Sequence, residues 1–583
     1  MQDKLFSSSF LSSLNKGNFK KILLFGMSPM PFENDKKVYG TGIRTWQFLL
    51  PLLKNGHKIC VCNFAIPSAY NENFQTQFIK DYVFKENEKE GFVFDYNILR
   101  PDDFENLELL KKIFLDFIPD CVVGCSFYPS YIASKLLNYL KVKDSNAVCN
   151  FAINTTTSST GQLADNNATS NAYNRIGNTV DDGVSGKVNN VNNNYNARTS
   201  SAAKSSNTTD SSADSFYITC PFWADLFGHV MAEAQARAFI DKSDECLFHY
   251  WNSEYNIITT ADIFSTVSER QKYALIGELG AVGRLNQYTS GYEFAYCIPC
   301  GMPDKPFDVQ KESQQNKNKD FTVLWSGGYN TWTDVDTLFL GLVKAMEKNN
   351  SIKFISTGGE IPEQDIKTYP RFLDMIKNSK FKDNFIMLGW IKGEEVPKYY
   401  FKADVGINID KDIYEVRLGS KNRILDWFRA GLAVLSSNVC ELTEIIEREK
   451  IGYTFRAHDA DDLAQKLLYL AENKDELKKT AKRAQEYGFK YFNFNVTTKC
   501  LQNWAANPFF APDYNKQKVI NFSKEEALKN LQLITSSQKE MIKQKDRKIK
   551  ELEEIVHKSF AYKIYGYLKI LKRKILKEKK HAQ

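Results

Sequence analysis

Residues 415–435 read EVRLGSKNRILDWFRAGLAVL. Three cations, Arg417, Lys421 and Arg423, surround a Gly-Ser pair. An amphipathic segment follows, turns at Ala430-Gly431, and runs into the apolar Leu432–Leu435. Ser420 stands where the hydroxyl of a helix N-cap belongs, because its oxygen can accept one of the four backbone N–H groups that a first turn leaves open. A loop, a helix and a short uninterrupted apolar strand make one step of an α/β layer, and such a strand is buried on both faces of a parallel sheet. The same unit recurs on either side. FTVLWSGG (321–328), KFISTGGE (353–360), NFIMLGW (384–390), ADVGINI (403–409) and LAVLSS (432–437) are strands separated by helical stretches.

A second region of the same rhythm lies upstream. KILLFGM (21–27) reads as a buried strand, followed by a Gly-containing loop, a helix over 45–55 and a strand over 57–64. A helix over 106–117 and a strand over 120–124 continue it, and a strand is expected at 147–153. With 583 residues the chain is too long for one core. The expectation is an N-terminal Rossmann-like domain over 18–305, a Gln/Asn/Lys-rich hinge over 310–320, a C-terminal Rossmann-like domain over 321–512, and a helical tail over 513–583. Residues 155–214, rich in Asn, Ser, Thr and Ala, hold almost no large apolar side chain and read as a disordered insertion.

Composition narrows the function classes. Hydrophobic residues at 43% and charged residues at 25% are those of a globular protein. The net charge of +7 is concentrated at one end, for residues 558–583 carry nine Lys or Arg against one acid. The rest of the chain is therefore near neutral, which argues against nucleic-acid binding by the body. No run of about eighteen apolar residues occurs, and the first twenty-one residues hold no continuous apolar segment, so the expected location is the cytoplasm. Eleven cysteines without a repeating frame fit reduced thiols, and Cys297-x-x-Cys300 lacks the second pair that a zinc knuckle needs.

Two glycines, Gly40 and Gly42, precede the first helix, where free N–H groups accept anions. Read in order, TGIRTWQFLLPLLKNGHKICVC, ADIFSTVSERQ, CIPCGM and LGSKNRILDWFRAGLAVL resemble the retaining GT-B family of nucleotide-sugar glycosyltransferases (glycosyl transferases group 1, family 4-like). The resemblance covers about residues 20 to 510 apart from the insertion, and its specificity rests on the ordered set. It implies two Rossmann-like domains facing across a cleft, a nucleotide-sugar donor held mainly by the C-terminal domain, and transfer with retention and without a metal or other cofactor. It places Gly42, Ser268 and Gly301 around the donor. The 415–426 loop is placed on the donor's phosphates and sugar through Arg417, Ser420, Lys421 and Arg423. Trp390 matches the place where the nucleotide base packs.

The chain departs from the family pattern twice. Of two acids separated by seven residues, the second is Asp426, but Leu418 stands at the first position and Glu415 is the nearest substitute. An Arg and a Lys five residues apart that neutralise the diphosphate are replaced by Gly328 and Thr333. An anion nest at Gly327 and Gly328 is the expected supplement to the loop's cations. Asp225, or His229 close by, is the expected acceptor-side residue, and Asp225 with Glu415 forms the expected catalytic pair. Asp334-Val-Asp336 spells a metal-binding motif, yet it falls where a helix begins and reads as a dipole partner.

The expected acceptor is a glycan or a lipid-linked sugar in cell-surface polysaccharide synthesis. Two alternatives stay open: a nucleotide-sugar 2-epimerase on the same scaffold, and a non-catalytic sugar-nucleotide-binding protein. In the tail, Ile542, Ile549 and Val556 recur at seven with Leu552 beside them, a weak coiled-coil pattern. Phe560, Ile564, Leu568, Leu571 and Ile575 then recur at three or four opposite Lys and Arg, which reads as an anionic membrane-surface helix.

Overall fold

The segment KILLFGMS forms the strand β1 (Lys21–Ser28), and all but its first residue are buried. Leu23, Phe25 and Met27 enter one core cluster while Ile22 and Leu24 enter another, so the strand is covered on both faces. The computed structural model describes residues 19–33, 35–86, 91–146, 219–307, 320–362, 364–516 and 524–581. The expected strand at 147–153 and the 155–214 insertion lie outside the described residues. β1 is joined in one sheet by β2 (Lys58–Ala65), β3 (Gln77–Lys85), β4 (Gly91–Leu99), β5 (Cys121–Gly124), β6 (Phe222–Leu226), β7 (Ile263–Thr266) and β8 (Ala295–Cys297). The order is β3-β4-β2-β1-β5-β6-β7-β8, parallel throughout except for the β3–β4 pair.

That antiparallel edge was not anticipated. β3 reads QFIKDYVFK, half-exposed with charges between its aromatics, so the chain alone offers no clean apolar run. Its register slips between Ile79 and Tyr82, where Asp81 has φ 52°, and such a bulge blunts an edge strand against further pairing.

The second sheet holds β9 (Phe321–Ser326), β10 (Ile352–Thr357), β11 (Phe385–Met387), β12 (Val405–Asn408), β13 (Ala433–Ser437) and β14 (Tyr453–Phe455). Their order β11-β10-β9-β12-β13-β14 is the doubly wound 3-2-1-4-5-6 arrangement, whose strand order reverses between β9 and β12. Ligands of such sheets bind beyond the carboxyl ends of the strands at that reversal. In the first sheet the corresponding reversal lies between β1 and β5. The molecule is thus an α/β protein of two Rossmann-like lobes, with a helical C-terminal region.

The chain crosses between lobes twice. Met302 N–H donates to Phe492 O at 2.8 Å, and Phe494 N–H donates back to Met302 O at 3.0 Å. Residues beyond that crossing then pack on the first lobe, although 321–512 was expected to form the second. Phe494, Leu501 and Trp504 join the first lobe's core, with Trp504 5.5 Å from Trp223. Asp513 meets Arg284 through both carboxylate oxygens, at 2.7 and 2.8 Å, with both side chains buried.

The tail forms two helices, Lys524–Lys558 and Phe560–His581. No described helix is long and apolar enough to cross a membrane.

Candidate functional site

The helix Asn422–Ala430 is anchored by burial of Ile424, Leu425, Trp427 and Phe428, each worth about 1.5–3 kcal/mol. It stops at Gly431, whose φ of 68° is the left-handed conformation that closes helix ends. Its start is open, because the N-cap residue is Lys421 and no side chain caps it. Ser420, expected at that position, lies one residue earlier. The first-turn N–H groups therefore keep their capacity for a ligand.

This helix start faces a cleft of about 1640 Å³ between the lobes. Gly327, Gly328, Trp390, Glu415, Ser420, Lys421, Arg423 and Asp426 line it from the second lobe. Arg423 is partly buried, with its Nη1 shut off from solvent. Its guanidinium lies 3.8 Å from the Trp325 ring centre, and its Nη2 reaches Gly328 O at 3.4 Å. Burial holds its pKa below the usual arginine value. Gly327 has φ 97°, and a Cβ there would sit 3.7 Å from Arg423 Nη2, so a glycine lets the backbone turn over the guanidinium. Lys421 is buried between Asp410 at 3.5 Å and Glu415 at 3.9 Å. Burial opposes its charge, but the two carboxylates outweigh burial and raise its pKa.

Three buried polar atoms around this spot have no hydrogen-bond partner among the described residues: Arg423 Nη1, Glu415 Oε2 and Asn330 Oδ1. All three residues line the cleft. Such atoms cost about 1–3 kcal/mol each when left unpaired, and they define a ligand by complement. The cationic donor calls for an anionic acceptor, and the two oxygens call for hydroxyl or N–H donors. Burial raises the Glu415 carboxyl against the pull of Lys421, and pushes Asp426 up to about 6.

Five expected site residues are placed elsewhere. Asp225 is completely buried and receives Arg44 Nε and Nη2 at 2.9 and 2.7 Å, Ser265 Oγ at 2.7 Å and Ser126 N–H at 3.1 Å. A carboxylate saturated by those donors cannot also orient an acceptor. Arg417 is turned outward by the short helix Tyr414–Leu418 and held by Asp412 at 2.6 and 2.8 Å. Ser268 caps the helix Glu269–Ala281 by accepting from Gln271 N–H at 3.0 Å, and donates to Leu418 O at 2.6 Å, so it ties the lobes together. Gly301 lies at the chain crossing, where a Cβ would meet Gln47 Nε2 at 2.7 Å. Gly42 packs on Pro29 O, which a Cβ would approach to 2.0 Å, and its neighbour Gly40 lines the cleft instead.

His229 caps the helix Val230–Asp241 through Nδ1 and donates from Nε2 to Glu278 at 2.9 Å. Glu254 completes a cluster whose ligand atoms lie within 4.8 Å. The cap uses the Nδ1 lone pair and leaves the proton on Nε2, which disfavours a metal there. Asp334 is an N-cap, bonded to Thr337 N–H at 3.1 Å.

Glu233 was not anticipated. It projects from the Val230–Asp241 helix into the cleft, accepts from Gln364 Nε2 of the second lobe at 3.2 Å, and is pushed up to about 7 by burial and by Glu415. The signal in the sequence was faint: Glu233 and Arg237 stand four apart in an alanine-rich helix. Trp390 lines the cleft with its Nε1 donating to Glu360 O at 2.7 Å, and Lys37 lies 4.0 Å over its ring.

Residues 320–473, most of the second lobe, match the family described as Glycosyl transferases group 1. The fold is similar to sucrose-phosphate synthase (tll1590) from Thermosynechococcus elongatus, at 15% identity and a TM-score of 0.52, covering 83% of this chain and 98% of that one. It is also similar to an E. coli structure described as trehalose-6-phosphate bound with UDP-2-fluoro glucose, at 10% identity and a TM-score of 0.51, covering 84% and 100%. A comparison with curated protein sequences returned no match. The architecture is GT-B, and with the family match it supports a glycosyltransferase.

Proposed function

We propose that the protein transfers a sugar from a nucleoside-diphosphate sugar to a hydroxyl of a glycan or lipid-linked acceptor, with retention of configuration and without a metal. The observation that carries this reading is the set of buried atoms without a hydrogen bond, among which Glu415 Oε2 has only the Lys421 ammonium at 3.9 Å beside it. Arg423 Nη1, with the open helix start at Lys421–Arg423, suits the diphosphate, while Asn330 Oδ1 and Glu415 Oε2 suit hydroxyls of the sugar or ribose. The E. coli relative described with a UDP-sugar gives the fold a precedent for such a donor.

In this reading the bond between the anomeric carbon and the phosphate oxygen breaks as the acceptor oxygen bonds to that carbon. Charge grows on the departing diphosphate, where Arg423, Lys421 and the helix N–H groups stabilise it more than in the ground state. The acceptor proton passes to the departing phosphate or to Glu233, whose carboxyl titrates near neutrality at the cleft wall. Asp426 serves a donor hydroxyl, and Trp390 packs the base.

Incubation with UDP-, GDP- and ADP-sugars, read first by thermal stabilisation and then by release of nucleoside diphosphate, tests the proposal. Stabilisation by one donor and its slow hydrolysis are expected. Stabilisation without diphosphate release in the presence of candidate acceptors favours the non-catalytic binding protein. The Glu233–Glu415 pair also gives the epimerase reading the acid/base groups it needs, and solvent deuterium appearing at the sugar's C2 would select it.

A further inference from the structure

The two tail helices differ in charge. Lys524–Lys558 mixes Lys and Arg with Asp and Glu along its length, whereas Phe560–His581 carries Lys563, Lys569, Lys572, Arg573 and Lys574 with no acid before Glu578. At 100° per residue, Ile564, Leu568, Leu571 and Ile575 fall within an arc of about 60°. Tyr565 and Tyr567 border that arc on its two sides, and the five cations lie outside it, sharing the rest of the helix with Tyr562, Ile570 and Leu576. The apolar stripe is uncovered, with Ile564 43%, Leu568 59%, Leu571 54% and Ile575 48% exposed.

We propose that the Phe560–His581 helix lies in the interface of an anionic lipid bilayer. Its apolar stripe would enter the headgroup–acyl boundary and its cations would meet lipid phosphates. Charge selects this occupant. A second copy of the helix would bring like-charged faces together around a narrow apolar seam, whereas an anionic leaflet satisfies stripe and cations at once. Tyrosine at the edge of the stripe suits the boundary, where a ring can be apolar on its face and wet at its hydroxyl. The described helix is not apolar enough to cross a bilayer, so it lies along the surface. The proposal stands independently of the sugar-transfer reading.

The test is co-sedimentation of the full chain with phosphatidylcholine vesicles, with and without about 30% phosphatidylglycerol. Binding to the anionic vesicles alone, weakening as salt rises, is expected. Changing Lys569, Lys572, Arg573 and Lys574 together to Gln should lower the vesicle partition coefficient by at least about 100-fold, given the contribution of each basic residue near a charged leaflet. Leu568→Ser with Leu571→Ser should lower it with the charge intact. An unchanged thermal transition of the body shows that each variant is folded. Absence of parent binding, equal binding to neutral vesicles, or undiminished binding by the four-Gln variant would overturn the proposal. So would a concentration-dependent dimer abolished by the Leu substitutions when vesicles bind nothing.

Discussion

Arg423→Met separates stability from donor binding because the two should respond differently. In the free protein Arg423 is a partly buried cation whose buried Nη1 has no hydrogen-bond partner, and burial lowers its pKa. Removing that donor relieves about 1–3 kcal/mol, while losing the stack on Trp325 costs about 0.5–2 kcal/mol. Methionine keeps most of the volume, so the free variant should unfold within about 1 kcal/mol of the parent. Donor binding should fall much further. A charge-assisted hydrogen bond is worth about 1.5–3 kcal/mol, so loss of the guanidinium should weaken donor binding about 100-fold. At a donor concentration one hundred times the parent's Kd, the stabilisation of about 2.7 kcal/mol should shrink to about 0.4 kcal/mol. Denaturant titrations with and without the donor that stabilises the parent read both quantities. An undiminished donor response refutes the phosphate assignment. A free variant destabilised by more than about 3 kcal/mol refutes the claim that Arg423 is held for a ligand.

Three further outcomes follow from other features. The folded Glu233 carboxyl keeps its proton up to about 7, against 4.5 for an ordinary glutamate, so the folded chain binds more protons in that window. Its contribution to stability therefore declines as pH rises from about 4.5 to 7, and Glu233→Gln should flatten that part of a stability profile measured by urea unfolding. Gly327→Ala should cost about 1–2 kcal/mol because φ is 97°, and should abolish donor stabilisation in the thermal assay while the protein stays folded. Asp513→Ala strands Arg284 without its buried partner and should cost about 3–5 kcal/mol in chemical denaturation.

The second lobe was readable because its elements are local. Each apolar run such as FTVLWS is one strand, and the cations at Lys421 and Arg423 lie within a few residues of the glycine turn that aims them. Residues whose roles depend on distant partners were not readable. Asp225 is claimed by Arg44, 181 residues away, and Ser268 by Leu418, 150 residues away. Arg417 and Lys421 look alike in sequence, but Arg417 on the short Tyr414–Leu418 helix points out to Asp412 while Lys421, at the start of the next helix, points in to Asp410. Glu233 owes its raised pKa to burial and to Glu415 across the cleft, neither of which its own helix reveals.

The return of residues 494–514 to the first lobe sets a timetable for biosynthesis. Arg284 must wait for an acid 229 positions later in the chain. At about 5–20 residues per second, that wait is on the order of 10–50 s. During it Arg284 lacks its bidentate carboxylate partner and the first lobe has an apolar face that Leu501 and Trp504 have not yet covered. A chain ended shortly before residue 494 leaves that face bare and should aggregate rather than yield a free lobe.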